Sequence, residues 1–246
     1  MSRALTAAFA SSEAKRRHVK RLFATIADRY DLITRVLSYG MDGRWKRRLI
    51  ARADVQGGER ALDLATGTGD VAFGLAARGA VVTGLDVTHR MLQLACAKQT
   101  GGAAPRVTWT TGDMTSLPYA DCAFQIVTTS YGLRNVPDLD AALREIARVL
   151  APGGRVLSLD FNRPESPVVR AVYLGYLGAV GATLGWALHG DPDTYRYIPA
   201  SIQRYPGAAG VAEHLRRAGL IDVEAIPLLG GLMTIHAARR PGDVSR

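Results

Sequence analysis

Ala61-Leu62-Asp63-Leu64-Ala65-Thr66-Gly67-Thr68-Gly69-Asp70 is an apolar run that ends in a glycine loop, with acidic residues on both sides of the loop. It reads as a strand that stops at the carboxyl edge of a parallel sheet, where open α/β sheets bind their ligands. Formally, Gly67-x-Gly69-x-x-Ala72 also fits a dinucleotide fingerprint, in which glycines let the backbone approach a pyrophosphate at a helix N-terminus. Charge opposes that reading. Asp70 falls where the next helix begins and Asp63 precedes Gly67 by four residues, so two carboxylates crowd the seat of a pyrophosphate. S-adenosylmethionine has no phosphate and carries a sulfonium and an ammonium, both of which an acidic loop attracts. The plain structural alternative is an Asp70 that merely caps the helix after a tight turn.

Val81-Val82-Thr83-Gly84-Leu85-Asp86 is too short for a helix and rich in β-branched residues, so it predicts a second buried strand ending in a carboxylate. Asp86 lies 17 residues after Gly69, where it is placed to accept hydrogen bonds from two ribose hydroxyls. The alternative is that it caps the following helix, with Thr88 competing for the same task. Val107 to Trp109 predicts a third strand leading into Gly112-Asp113-Met114, which offers a carboxylate and a thioether to an adenine ring.

The rest of the chain fits this α/β alternation. Ala141 to Leu150 predicts a sheet-covering helix stopped by Pro152-Gly153-Gly154, and Val156 to Phe161 a fifth strand. Val211 to Ala218 predicts the last helix, and Asp222 to Leu229 with Leu232 to Ala238 a strand pair joined at Gly230-Gly231. The fold class expected is a doubly wound, mostly parallel sheet with an antiparallel C-terminal hairpin. One domain over residues 1–246 is the simplest count, with basic helices at about 10–52 and an insert at about 164–206. Within the insert, Ala171 to Leu188 is an 18-residue stretch without a charge that contains four glycines. It is expected to form a pair of apolar helical segments roofing the site rather than a membrane span, because each glycine weakens a lone helix by about 1 kcal/mol.

The net charge of +9 is concentrated: residues 1–60 hold 14 Lys or Arg against 6 Asp or Glu, and the remainder 17 against 16. Lys15-Arg16-Arg17-His18-Val19-Lys20-Arg21 and Arg44-Trp45-Lys46-Arg47-Arg48 lie in stretches with helical spacing. Basic amphipathic helices rest against anionic lipid; the bland alternative is a solvated helix face. No nucleic-acid-binding pattern accompanies the charge. Cys96 and Cys122 have no CxxC or CxxH partner, so neither a disulfide framework nor a metal site is expected. The N-terminus has no continuous apolar run of the secretory kind, and a cytoplasmic location with peripheral membrane contact is the expectation. The number of subunits is open, a homodimer being one assembly the sequence allows.

Five segments carry a resemblance that covers about Val19 to Arg239. They are Phe23 to Asp31 with Trp45-Lys46-Arg47, the loop Asp63 to Asp70, Ser130-Tyr131-Gly132-Leu133-Arg134-Asn135-Val136, Arg148 to Gly154, and Tyr195-Arg196-Tyr197 with Ser201-Ile202. Together they make the chain similar to the ubiquinone/menaquinone biosynthesis C-methyltransferase family of class I S-adenosylmethionine-dependent methyltransferases. The resemblance implies a seven-stranded Rossmann-like sheet and methylation of a ring carbon of a prenylated quinol. It also implies cofactor contacts at Thr66, Gly67, Asp86, Asp113, Met114 and Ser130, to which the glycine loop adds Asp63 and Gly69. Tyr195, Arg196 and Tyr197 are the expected substrate contacts. Tyr131 stands where the family usually has Phe, and the glycine-rich insert and Arg-rich ending depart from its pattern.

An aromatic carbon is a weak nucleophile until a neighbouring hydroxyl ionises, and a free phenol has a pKa of about 10. Arg134, expected just after the fourth strand, can hold a phenolate or orient a water. Asn135 can fix the ring by hydrogen bonding. The structural alternative for Arg134 is an ion pair with Asp138 or Asp140. His189, Asp191 and Asp193 are the candidate proton acceptors. Two other readings stay open: a methyltransferase of another small hydrophobic substrate, and a non-catalytic scaffold with the same fold.

Overall fold

The computed structural model describes residues 3–101 and 105–242. Its sheet comprises β1 (Arg60–Leu64), β2 (Val81–Asp86), β3 (Val107–Thr111), β4 (Phe124–Ser130), β5 (Leu150–Phe161), β6 (Ile221–Leu228) and β7 (Met233–Arg239). They lie in the order β3-β2-β1-β4-β5-β7-β6. The first five strands are parallel, and β7 pairs antiparallel with both β5 and β6. The strand order therefore reverses between β1 and β4, which is where an open α/β sheet leaves a crevice for ligands.

Around the sheet run α1 (Arg3–Ala8), α2 (Ser12–Ile26), α3 (Tyr30–Leu37), α4 (Asp42–Arg52), α5 (Asp70–Ala76), α6 (His89–Thr100), α7 (Leu139–Val149), α8 (Pro167–His189), α9 (Asp193–Arg204) and α10 (Gly207–Arg217). Side chains alternate between the faces of a strand, and here both faces are apolar. Leu62, Leu64 and Val127 pack with Leu143 and Ile146 of α7 and Val211 and Leu215 of α10. Their neighbours Ala61 and Ile126 pack on the opposite face with Leu49 and Ile50 of α4 and Val71 and Leu75 of α5. This two-sided burial is why β1, β2 and β4 read as continuous apolar runs.

The predicted strands and the C-terminal hairpin are present, with two corrections of detail. β5 begins at Leu150, six residues earlier than expected, because Pro152-Gly153-Gly154 forms an irregularity inside the strand. Pairing jumps there from Phe124 opposite Leu150 to Ile126 opposite Arg155. The second correction concerns the insert, which holds one 23-residue apolar helix, α8, followed by α9, instead of a pair of apolar segments. Ser166 caps its start by accepting a hydrogen bond from the Val169 N–H, with Pro167 in the first turn, and Gly190 closes it in a left-handed conformation. Packing overrides the low helix propensity of glycine: Gly185 is buried against the Asp191 carbonyl, where a Cβ would not fit, and Gly181 against Tyr195, where one would be tight. Gly181 and Gly185, four residues apart, thus join α8 to the chain that follows it. By length and composition α8 is also able to cross a membrane.

The two kinds of glycine on α8 should respond oppositely to alanine. Gly175 has open space around its Cβ position, so Gly175→Ala should raise stability by up to about 1 kcal/mol. Gly185→Ala should lower it by about 1–3 kcal/mol through overpacking. Urea denaturation of the two variants checks both signs.

Candidate active site

The loop after β1 is held from beneath. The buried Asp63 carboxylate accepts hydrogen bonds from Thr66 Oγ1 at 2.6 Å and Thr128 Oγ1 at 2.7 Å. Burial pushes its pKa up to about 6 despite these donors. Asp63 and Thr66 therefore fasten the loop and lie outside the lining of the main cleft. Gly69 adopts φ +90°, and a Cβ there would stand 2.7 Å from Trp109 and 2.9 Å from Phe73, so its position is set by packing. It too lies outside the cleft lining. Asp70 does not cap α5; the cap is Gly69. Its carboxylate instead meets Lys46 Nζ at 3.0 Å and Lys98 Nζ at 3.2 Å.

Beside this loop, at the sheet's switch point, lies a cleft of about 710 Å³ whose lining includes Gly67, Asp86, Asp113, Met114 and Ser130. Asp86 Oδ2 accepts the Gly67 N–H at 2.9 Å and Oδ1 accepts the Thr88 N–H at 2.8 Å. Burial raises its pKa against the pull of those two donors. Each carboxylate oxygen can accept a further hydrogen bond, which is what a vicinal diol requires. Leu85, Met91 and Met114 supply apolar surface in the same cleft. Asp113 is engaged: Thr115 donates to it from N–H and Oγ1, and Arg16 Nε reaches it at 2.9 Å. Its pKa is lowered, because these partners outweigh burial. The acceptors Asp86 and Asp113 fit a nucleoside with a cationic tail, and among the described residues the cationic side chain lining the cleft, Arg16, is engaged by Asp113.

The helix α2 also belongs to this cleft, contributing Arg16, Val19 and Phe23 to the lining. Lys15, one residue away, donates from Nζ to the carbonyl oxygens of Arg134 at 3.1 Å and Val136 at 2.6 Å. Burial, with the Arg134 charge as a second cause, lowers its pKa to about 8. The basic run was legible as charge, but the inward direction of Lys15 and Arg16 depends on partners about a hundred residues away in sequence.

A second cavity, of about 580 Å³, is mostly apolar and lies between α2, α3 and α9. It shares Phe23, Tyr30, Tyr131 and Asn135 with the cleft, so the two spaces meet. Arg134, Tyr195 and Tyr197 line it. Arg134 is paired with neither of the acids expected as its alternative partners: Asp138 caps α7, and Asp140 meets His214 Nδ1 at 2.6 Å. Its partner is the buried Asp160 at the end of β5, which Nε reaches at 3.2 Å and the Arg134 N–H at 3.1 Å. Nη1 donates to Ser201 Oγ of α9 and to Asn135 Oδ1. The guanidinium lies 5.1 Å from the Phe161 ring centroid.

The remaining candidates separate by position. His189 Nε2 is 2.9 Å from the Tyr195 hydroxyl. Asp191 accepts hydrogen bonds from the Asp193 N–H and Thr194 Oγ1 at the start of α9. Arg196 is exposed and meets Asp193 at 2.9 Å. None of His189, Asp191, Asp193 or Arg196 lines either cavity. The insert's apolar stretch is not the roof that was expected: α2, α3 and α9 wall the second cavity, while α8 supports α9 from behind.

The doubly wound sheet and its acidic switch-point cleft define an S-adenosylmethionine-dependent methyltransferase. A profile of the ubiE/COQ5 methyltransferase family matches residues 11–240. The demethylmenaquinone methyltransferase of Mycolicibacterium paratuberculosis is 39% identical over 225 residues, covering 92% of this chain and 95% of its own. That of Corynebacterium kroppenstedtii is 37% identical over 232 residues, covering 94% and 98%. Among solved structures, a Thermotoga maritima S-adenosylmethionine-dependent methyltransferase shares the fold with a TM-score of 0.66 at 17% identity, over 91% of this chain and 100% of its own. Phosphoethanolamine N-methyltransferase 2 of Haemonchus contortus, solved with S-adenosylhomocysteine, gives 0.61 at 18% identity over 80% and 52%. The chain belongs to the ubiE/COQ5 methyltransferase family. Its reaction is accordingly a carbon methylation in quinone biosynthesis.

The open valences of the buried Asp86 carboxylate give a first test. Asp86→Ala should weaken S-adenosylmethionine binding by roughly 2–3 kcal/mol, or about 30- to 150-fold, since hydrogen bonds to a charged acceptor are worth about 1.5–3 kcal/mol each. Isothermal calorimetry on the folded variant reads this directly, and unchanged affinity removes the ribose from Asp86.

Proposed function

We propose that the chain methylates a ring carbon of a prenylated naphthoquinol, reduced demethylmenaquinone, with the ring held in the apolar cavity and the nucleoside in the acidic cleft. One observation carries this reading: a mostly apolar cavity meets the cofactor cleft at Tyr131 and Asn135, with an arginine at the junction. The printed names of the curated relatives, demethylmenaquinone methyltransferases at 35–39% identity, support the naphthoquinol over a benzoquinol.

When bound, S-adenosylmethionine supplies an electrophilic methyl group whose transfer to carbon leaves a neutral thioether. In this reading the protein prepares the acceptor. Arg134 uses Nε and Nη1 on Asp160, Ser201 and Asn135, so its Nη2 hydrogens are the ones offered to the ring oxygen as it ionises. Asn135 donates to the Tyr131 carbonyl at 2.7 Å and accepts from Arg134, which makes it a residue that orients the guanidinium. Among the described residues the buried Tyr197 hydroxyl has no hydrogen-bond partner. Burial raises its pKa to about 12, so it stays protonated at neutral pH and offers a hydrogen bond to a ring oxygen. Holding both reactants across one shared boundary accounts for much of the rate.

We also propose peripheral attachment to the cytoplasmic face of an anionic bilayer. The inner face of α3 lines the apolar cavity through Ile33 and Leu37, while Leu32, Val36 and Tyr39 (56% accessible) face outward. Tyr39 stacks on Tyr176 of α8 at 5.5 Å, and α8 adds the exposed Val168, Val172 (69%) and Trp186 (71%). A surface of this kind suits the lipid from which a prenylated substrate must come.

Two measurements test these proposals. Arg134→Lys keeps a charge but loses the planar fork, so kcat on a short-tailed reduced quinol should fall about tenfold or more with S-adenosylmethionine affinity within about twofold. Partial recovery should appear at high pH as the quinol ionises on its own, and wild-type turnover by the folded variant removes Arg134 from the chemistry. Arg134→Ala should in addition cost about 3–5 kcal/mol of stability, because Asp160 is left buried without its partner. For the membrane, the protein should cosediment with phosphatidylglycerol vesicles at low salt and be released by high salt or alkali. Val172→Glu with Trp186→Glu should reduce that binding at least tenfold while leaving turnover of a soluble short-tailed quinol unchanged. Resistance to alkali would assign α8 to a membrane span instead.

A further inference from the structure

Next to the cofactor cleft is a smaller polar recess of about 230 Å³. Tyr30, Ala65 and Ser130 line both spaces, so the recess is an extension of the cleft past the glycine loop. Its lining adds Lys46 of α4 together with Thr66, which lies outside the main cleft but borders this recess, Thr68, Asp70 and Val71. The Lys46 side chain is only 9% accessible, and its Nζ lies 2.7 Å from Asp42 and 3.0 Å from Asp70. Despite burial, the neighbouring Asp70, Tyr30 and Asp42 raise its pKa well above that of a free lysine, so it is an ammonium at any working pH. An ammonium has three hydrogens to donate, and two carboxylates account for two of them.

Lys98 extends the cluster. It meets Asp70 at 3.2 Å and Asp31 at 2.7 Å, and donates to Thr68 Oγ1 at 2.8 Å. Two ammonium groups, Lys46 and Lys98, thus face three carboxylates, Asp31, Asp42 and Asp70, which leaves one negative charge in excess. S-adenosylmethionine carries the complementary balance, a sulfonium and an ammonium against a single carboxylate. The surplus suits its two cationic groups, but its carboxylate needs a cation of its own in such surroundings. Among the described residues, the cationic side chains lining the cleft and the recess are Arg16 and Lys46. Arg16 is engaged with Asp113 at the opposite side of the cleft.

We infer that Lys46 binds the α-carboxylate of the cofactor's methionyl end, with the nucleoside on Asp86 and the amino-acid head in the recess beside Asp70. The inference rests on the cofactor alone and is independent of which quinol is methylated. Lys46 is on this account a cofactor-positioning residue: by fixing the far end of the methionyl chain it fixes where the methyl group is presented.

Ligands that differ only in the head group test it by calorimetry. S-adenosylhomocysteine carries the amino-acid head, and 5′-methylthioadenosine keeps the nucleoside and thioether without it. Lys46→Met should weaken S-adenosylhomocysteine at least tenfold and leave methylthioadenosine within about twofold, while Lys46→Arg should retain most of the affinity for both. Removing Lys46 takes the cation from the half-buried Asp42 and leaves it the Tyr131 hydroxyl, so Lys46→Gln combined with Asp42→Asn repeats the test in a charge-balanced background and should give the same split. Equal weakening of both ligands in the folded variants would make Lys46 a structural residue, and no weakening of either would empty the recess of the carboxylate. Either outcome overturns the inference.

Discussion

The buried ion pair between Arg134 and Asp160 sits where the sheet, α9 and α2 converge. Asp160 is fixed near the end of β5, where it lies opposite Thr234 of β7, and both side chains of the pair are about 4% accessible. Around it, Asp160 also accepts the Arg134 and Phe161 N–H groups, Ser201 brings in α9, and Lys15 brings in α2 through the carbonyls of Arg134 and Val136. Sheet, substrate-side helix and N-terminal helix are thus referenced to one short segment, residues 132–136. A charge pair out of water is tolerated only when its remaining donors and acceptors are satisfied, and that demand fixes the geometry of the segment separating the two cavities.

The N-terminal helices are correspondingly part of the cavity walls instead of an appendage to the sheet. Phe23 of α2 borders both cavities, Ile33 and Leu37 of α3 wall the second, and Lys46 of α4 enters the polar recess. Of the 14 basic residues in the first 60, Lys15, Arg16, Arg29, Lys46 and Arg52 have partners on other elements of the fold. The charge left to face an anionic surface is correspondingly smaller than the raw surplus. A count of charges along a sequence cannot separate the two groups, because a lysine that reaches a carbonyl 119 residues away looks like any other member of a basic run.

What the sequence made legible follows the range of the interactions involved. β1 and β2 were plain because two-sided burial writes itself as a local apolar run, and Asp86 followed from its place at the end of the second run. α8 was misread as two segments: four glycines argue locally against one long helix, whereas two of them are close contacts with α9 and its leading loop. Asp160 carries no local signal, being a single acid near the end of an apolar strand. Its importance comes from the approach of Arg134, 26 residues earlier. Asp191 and His189 were attractive as titratable groups near an apolar stretch, yet their hydrogen bonds are spent on the start of α9 and on Tyr195.

Polarity across the site runs in one direction, and the fold explains why. The recess at Lys46 and Asp70 sits by the glycine loop, next to the N-terminus of α5, and the acidic cleft follows along the sheet edge. The apolar cavity lies beyond Arg134, and only the width of α3 separates it from the exposed Leu32, Val36 and Tyr39. A zwitterionic cofactor head and a prenyl chain have opposite solvation preferences, so a common entrance would impose a desolvation cost on one of them. In the proposed reading they approach from opposite ends and meet at Tyr131 and Asn135, where the Asn135 amide is already committed to the Tyr131 carbonyl and the Arg134 guanidinium. The groups at the meeting point are therefore oriented by the protein before either ligand arrives, which is the condition under which fixed dipoles assist charge development without reorganising.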